Sequence, residues 1–121
     1  MITTELLLQA YKMDASDVHI TVGRPPIFRI HGSLLPIDTP AIRENLSEVM
    51  KEDIRPLTPD ETDALLRQIM KAEHYEKFMS RGEFDFSYSV SEVLRVRVNA
   101  FKQRSSTAFV MRLLSTKIPS I

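Results

Sequence analysis

Three arginines carry the chemistry this sequence is best equipped to do. Arg95 and Arg97 alternate with Val96 and Val98 in LRVRVNAFKQR (94–104), and Arg112 follows in VMRLL. In an extended strand alternate residues share a face, so Arg95, Arg97 and Asn99 point one way while Val96, Val98 and Ala100 point the other. Arg112 lies on the next expected strand and can approach the same patch. A guanidinium is a permanently charged, planar fork of donors that meets two oxygens of a phosphate at once. Spacing alone leaves two readings open. The arginines form an anion site suited to phosphate, or they sit on a solvated strand face where their stems cover apolar neighbours.

Other chemistries find less support. His19, His31 and His74 show no HxH or HExxH spacing and no cysteine accompanies them, so no metal site is expected. Asp14, Asp17, Glu83 and Asp85 could be imagined as working carboxylates, but nothing in the sequence brings two together. Asp14 reads as a turn residue, Asp17 as a helix-to-strand link, and the other two as exposed strand acids. There is no GxSxG nucleophile motif. There is also no GxxxxGK followed by Ser or Thr, and the three glycines, Gly23, Gly32 and Gly82, lie far apart. Without a phosphate-cradling loop, this chain by itself is not expected to bind ATP tightly or to hydrolyse it.

Charge points to an anionic partner. The net charge is zero, yet the last acidic residue is Glu92. Beyond it stand six bases, Arg95, Arg97, Lys102, Arg104, Arg112 and Lys117, so all sixteen acids face only ten bases in the first 92 residues. Such a one-sided excess marks an anion-binding segment. Nucleic acid is not expected, because Phe101 and Phe109 are isolated rather than interleaved with bases and the RNA-binding sheet fingerprint is missing. The 121 residues, 43% hydrophobic and 26% charged, suit one globular domain with a modest core. No apolar run approaches the ~20 residues of a membrane span. Met1–Glu5 lacks the basic-then-apolar start of a signal peptide. Membrane insertion is therefore not expected, and zero cysteines fit a cytoplasmic location.

The elements that must hold these residues can be read from periodicity. TTELLLQAYKM (3–13) predicts a helix with Thr3 or Thr4 as cap and Leu6, Leu7, Ala10 and Met13 on its apolar face. DVHITV (17–22) alternates as a half-buried strand with Val18, Ile20 and Val22 inward. IFRIHGSLLPI predicts two short strands around His31-Gly32-Ser33. Ile42, Leu46, Val49 and Met50 predict a short amphipathic helix over 41–51. Thr58, Pro59 and Glu61 stack the start signals of a helix running to about Lys71. A further helical stretch near 73–80 ends at Gly82. The last third predicts a three-strand meander: EFDFSYSV, LRVRVNAF and TAFVMRL, the last two joined by a turn at Ser105-Ser106. The fold class is α+β.

In that setting the sequence resembles a known family. ASDVHITVGRPPIFRIHGSLLPI, EFDFSYSV, LRVRVNAFKQR and VMRLLSTKIPS occur in the order and at roughly the spacing of the N-terminal segment of type IV pilus retraction ATPases, the PilT-like members of the type II/IV secretion ATPases. The resemblance spans about residues 3–120. It implies a PAS-like N-terminal domain over 1–114 with an extra helical insertion at about 39–57, and the start of an interdomain linker at 115–121. The family's RecA-like ATPase domain, with ATP and Mg, would follow. The resemblance further implies a homo-hexameric cytoplasmic motor for twitching motility. Its partners would be neighbouring subunits, its own ATPase domain and the pilus platform protein of the inner membrane. Arg95, Arg97 and Arg112 are then the arginines that act on the phosphates of ATP held by the ATPase domain.

Two departures from the family pattern stand out. Ser105 and Ser106 occupy the place where a glycine commonly follows the Gln-Arg pair. The Ile37–Thr58 connection is also longer than is usual in the family. A reading of a different class is a standalone PAS-like sensor or interaction module with a small ligand in its sheet. It would need a polar-lined pocket, and the inward positions are mostly apolar.

Overall fold

The period-two stretches of the sequence all become strands of a single sheet. The computed structural model describes residues 1–115. In chain order it contains α1 (Thr3–Lys12), β1 (Ala15–Ile20), β2 (Ile27–Ile30), β3 (Ser33–Pro36), α2 (Pro40–Arg43) and α3 (Glu48–Glu52). Then follow α4 (Pro59–Arg67), α5 (Ala72–Arg81), β4 (Glu83–Ser89), β5 (Leu94–Gln103) and β6 (Ser106–Ser115). The sheet order is β3-β2-β1-β6-β5-β4, and every neighbouring pair is antiparallel. This is the expected α+β class, an open six-stranded sheet with flanking helices. The expected linker at 115–121 lies outside the described residues apart from Ser115, which ends β6.

One face of the sheet is apolar and carries the helices. Across it run Phe28, Val18, Met111, Val98 and Phe86, each opposite the next. α1 packs against β1, α4 against β6 and α5 against β4. Phe28, Phe78 and Phe109 are fully buried in this layer together with Leu6, Leu7 and Leu66. At about 1.5–3 kcal/mol for each large side chain buried, this face fixes which way the sheet turns its other side. Polar ties lock the helices in place. The Thr107 and Tyr75 hydroxyls both donate to the Asp63 carboxylate, which joins β6, α5 and α4. Among the described residues no helix is long and apolar enough to cross a membrane.

The structure corrects several local expectations. Neither Thr3 nor Thr4 caps α1, because the cap position is Ile2. The Thr3 backbone N–H instead donates to Gln68 Oε1 at 2.8 Å, and its hydroxyl donates to the Leu65 carbonyl, so α4 and the turn after it satisfy the start of α1. The single helix expected over 41–51 is two short ones. Ser47 accepts from the Met50 N–H and starts α3 afresh, a cap signal that interrupts the apolar period. Ile42, Leu46 and Met50 are buried, but Val49 is 71% exposed. α4 stops at Arg67 rather than near Lys71, although Ile69 and Met70 remain buried. Its start is as expected, with the reciprocal Thr58–Glu61 capping box present. Val22 does not extend β1. It makes an isolated parallel bridge to Leu57, where the chain returns from α2 and α3.

The β5–β6 turn also falls one residue earlier than expected. Gln103 pairs with Ser106, so Arg104 and Ser105 are its two central residues, at φ 51° and 67°. Both sit in the left-handed region that a tight hairpin of this kind demands and that glycine or asparagine adopts most readily. His31-Gly32 meets the same demand in the β2–β3 turn with a glycine second. Ser105→Gly should therefore stabilise the chain by about 0.5–1 kcal/mol, the relief of left-handed strain less the entropy that glycine gains when unfolded. Urea unfolding measures this, and a lower midpoint for the variant would contradict it.

Candidate functional site

Register, rather than sequence proximity, assembles the candidate site. On the sheet face away from the helices one row crosses five strands: Arg29 on β2, Asp17 on β1, Arg112 on β6, Arg97 on β5 and Ser87 on β4. Each residue is directly opposite the next. The adjoining row holds His19, Val110, Asn99 and Asp85. Burial along β5 alternates as its sequence predicts, with Arg95, Arg97 and Asn99 exposed and Val96, Val98 and Ala100 buried.

Of the three expected arginines, the fold brings two together. Arg97 and Arg112 are direct cross-strand partners and line a depression of about 400 Å³ with Asp17, Asp85, Asn99, Val98 and Val110. Arg95 shares their face but lies one pleat along, between Leu114 and Ser89, and does not line that depression. A second depression, of about 430 Å³, is lined by Ser16, His19, Arg29 and Leu113 and shares Asp17, Val110 and Arg112 with the first.

Asp17 organises the row. Its side chain is 7% exposed, and its carboxylate meets Arg112 Nε at 3.2 Å through Oδ1. Through Oδ2 it accepts from the Ser16 hydroxyl at 2.8 Å and pairs with Arg29 Nε at 3.5 Å. A buried carboxylate is tolerated only when partnered in this way. Two like charges set directly opposite each other on adjacent strands repel. Asp17 partly offsets that repulsion for Arg112. The Arg97 guanidinium has no hydrogen-bond or ion-pair partner among the described residues, while the Asn99 side chain beside it donates to Asp85. The reading of Asp17 as a mere helix-to-strand link is thus corrected. A β-bulge between Ala15 and Asp17 sets its register against Arg29, and that signal is not visible in the sequence. Asp85, expected as a plain exposed acid, and Arg29, not singled out from the sequence, are the other residues the fold adds.

The histidines do not converge. His31 sits in the β2–β3 turn, and His74 on α5 stacks on Phe84 with ring centroids 4.9 Å apart. Among the described residues no three His, Asp or Glu side chains gather as a metal site. His19 titrates below its ordinary value, chiefly because burial disfavours its charged form. Asp17 acts in the opposite direction by raising it, and Arg29 lowers it further. Because the folded value lies below the unfolded one, His19 favours the fold above the unfolded pKa, and that contribution is lost as pH falls through the folded value.

No family model matches the chain. It is 34% identical over 115 residues to the type IV pilus retraction ATPase PilT of Pseudomonas aeruginosa, covering 95% of this chain and 29% of that protein. It is 27% identical over 117 residues to the type IV pilus ATPase PilU of the same organism, covering 97% of this chain and 27% of that protein. A crystal structure of the pilus retraction motor PilT with bound ADP superposes on 98% of this chain and 31% of its own, at a TM-score of 0.79 and 32% identity. The ATPase DotB of Legionella pneumophila shares the fold at a TM-score of 0.68 and 21% identity, covering 98% of this chain and 31% of its own. The chain thus spans about 30% of the length of the relatives it matches. Its sequence and sheet match those of the N-terminal part of type IV pilus ATPases. Within that class it belongs with the N-terminal domains of the PilT-like ATPases.

The electrostatics of the row can be checked in solution. Asp17→Asn removes the influence that raises His19, so the His19 pKa should fall further below 6.5. A histidine NMR titration of the variant measures this, and an unchanged or higher value would contradict the assigned balance of burial and charge.

Proposed function

We propose that this chain is the regulatory and assembly domain of a hexameric pilus-retraction motor, a cytoplasmic ATPase of twitching motility. In this reading Arg97 and Arg112, with Arg95 beside them, are presented to the phosphates of ATP and Mg bound by a RecA-like ATPase domain elsewhere in the longer protein. The observation that carries the reading is the direct opposition of Arg97 and Arg112 on an open sheet face. Two guanidinium groups side by side form a donor set matched to phosphate oxygens. The sequence has no phosphate-cradling GxxxxGK motif followed by Ser or Thr, so in this reading its role is to complete a site rather than to form one.

The chemistry follows from charge. Phosphoryl transfer spreads negative charge over the transferred group, and an arginine brought to it stabilises that charge. ATP supplies the transferable phosphoryl group when bound. Arg97 and Arg112 supply fixed positive charge and orientation. An arginine carried on a separate domain makes hydrolysis depend on how that domain sits, which couples turnover to movement. The other partners in this reading are the neighbouring subunits and the platform protein at the inner face of the inner membrane. The helix-facing side of the sheet is filled by Val18, Phe28, Val98, Phe109 and Met111, so the face left for a partner is the one that bears Arg97 and Arg112.

In the full-length protein, Arg97→Ala and Arg112→Ala should each preserve hexamer assembly while lowering ATP turnover, by up to the ~10³–10⁵-fold associated with loss of a transition-state arginine. Turnover assays beside light scattering check both halves. Near-normal turnover in both variants would remove the assignment.

A further inference from the structure

We infer that Asp17 is a positioning residue for Arg112, holding its guanidinium by Nε so that the two Nη groups remain for an anion in the depression shared with Arg97. The inference rests on the reading of Arg112 as a phosphate-directed arginine. The asymmetry of the pair carries it. Asp17 is buried while the Arg112 side chain is 71% exposed. The carboxylate is therefore fixed by the fold and the guanidinium is the mobile partner. Asp17 itself is fixed twice more, by the Ser16 hydroxyl and by Arg29, whose Nη1 is tied to the Gly32 carbonyl. The hydrogen bond that Arg112 makes to this anchored acid uses Nε. Among the described residues no protein acceptor takes its Nη donors. A long, exposed arginine held at one point loses less freedom when it meets an anion than one that is free in solvent. Arg97, without such an anchor, depends on the anion itself for its orientation.

Two readouts test this. In the chain of residues 1–121, the Arg112 Nε–H should give a resolved NMR cross-peak exchanging with water more slowly than that of Arg97, and Asp17→Asn should abolish the difference. In the full-length hexamer, Asp17→Asn should lower kcat on the order of 10–100-fold with little change in KM for ATP, the cost of a misplaced group rather than an absent one. In an Arg112→Ala background the same change should then have no further effect, since residues acting as a unit are not additive. A merely structural Asp17 would multiply its loss onto that of Arg112→Ala, and that result overturns the inference. Impaired Arg112→Ala with normal Asp17→Asn overturns it alone. Normal turnover in Arg112→Ala overturns the arginine assignment and this inference with it. Should Asp17→Asn fail to fold, the wild-type chain still decides, because equally fast exchange at the Arg112 and Arg97 Nε–H groups contradicts the inference.

Discussion

The pairing of β1 with β6 is the constraint on which the rest of this structure depends. Without it β1–β3 and the C-terminal meander are two separate three-stranded ribbons, and the apolar face is cut in half. With it they form one sheet whose apolar face runs unbroken from Phe28 through Val18, Met111 and Val98 to Phe86. The same pairing sets Asp17 opposite Arg112, residues 95 positions apart. One act of register thus closes the core and builds the charged row on the other side. A slip of one residue would turn Arg112 inward and Met111 outward, so the hydrophobic face enforces the geometry of the polar one.

What the sequence revealed and what it hid divide along that line. Local patterns were legible. Alternation in LRVRVNAF placed Arg95, Arg97 and Asn99 outward, the Thr58–Glu61 box marked the start of α4, and Gly82 ended α5 at φ 83°. Each of these depends on neighbours within a few residues. Effects set by distant residues were not legible. Asp17 looked like a linking acid because Arg29 and Arg112 meet it only through strand pairing. Thr3 looked like a cap because Gln68 and Leu65 reach it only through packing. The break at Ser47 was local but overruled, since Ile42, Leu46 and Met50 keep a helical period across two separate helices.

The candidate site divides in the same way. The residue types suggested a phosphate-directed patch, and the family landmarks singled out Arg95, Arg97 and Arg112. The fold distinguishes among these three by position: Arg97 and Arg112 share a depression, and Arg95 lies beside Leu114 outside it. Under the proposed function, such a face would complete a nucleotide site held by the ATPase domain, because it offers donors without a cradle.

The most direct test of the central claim is a structure of the full-length hexamer with a non-hydrolysable ATP analogue and Mg. The account predicts that this sheet face is turned toward the nucleotide, with Arg97 or Arg112 guanidinium nitrogens about 2.7–2.9 Å from phosphate oxygens. A nucleotide-bound hexamer in which the face bearing Arg97 and Arg112 is turned to solvent at every subunit would contradict it.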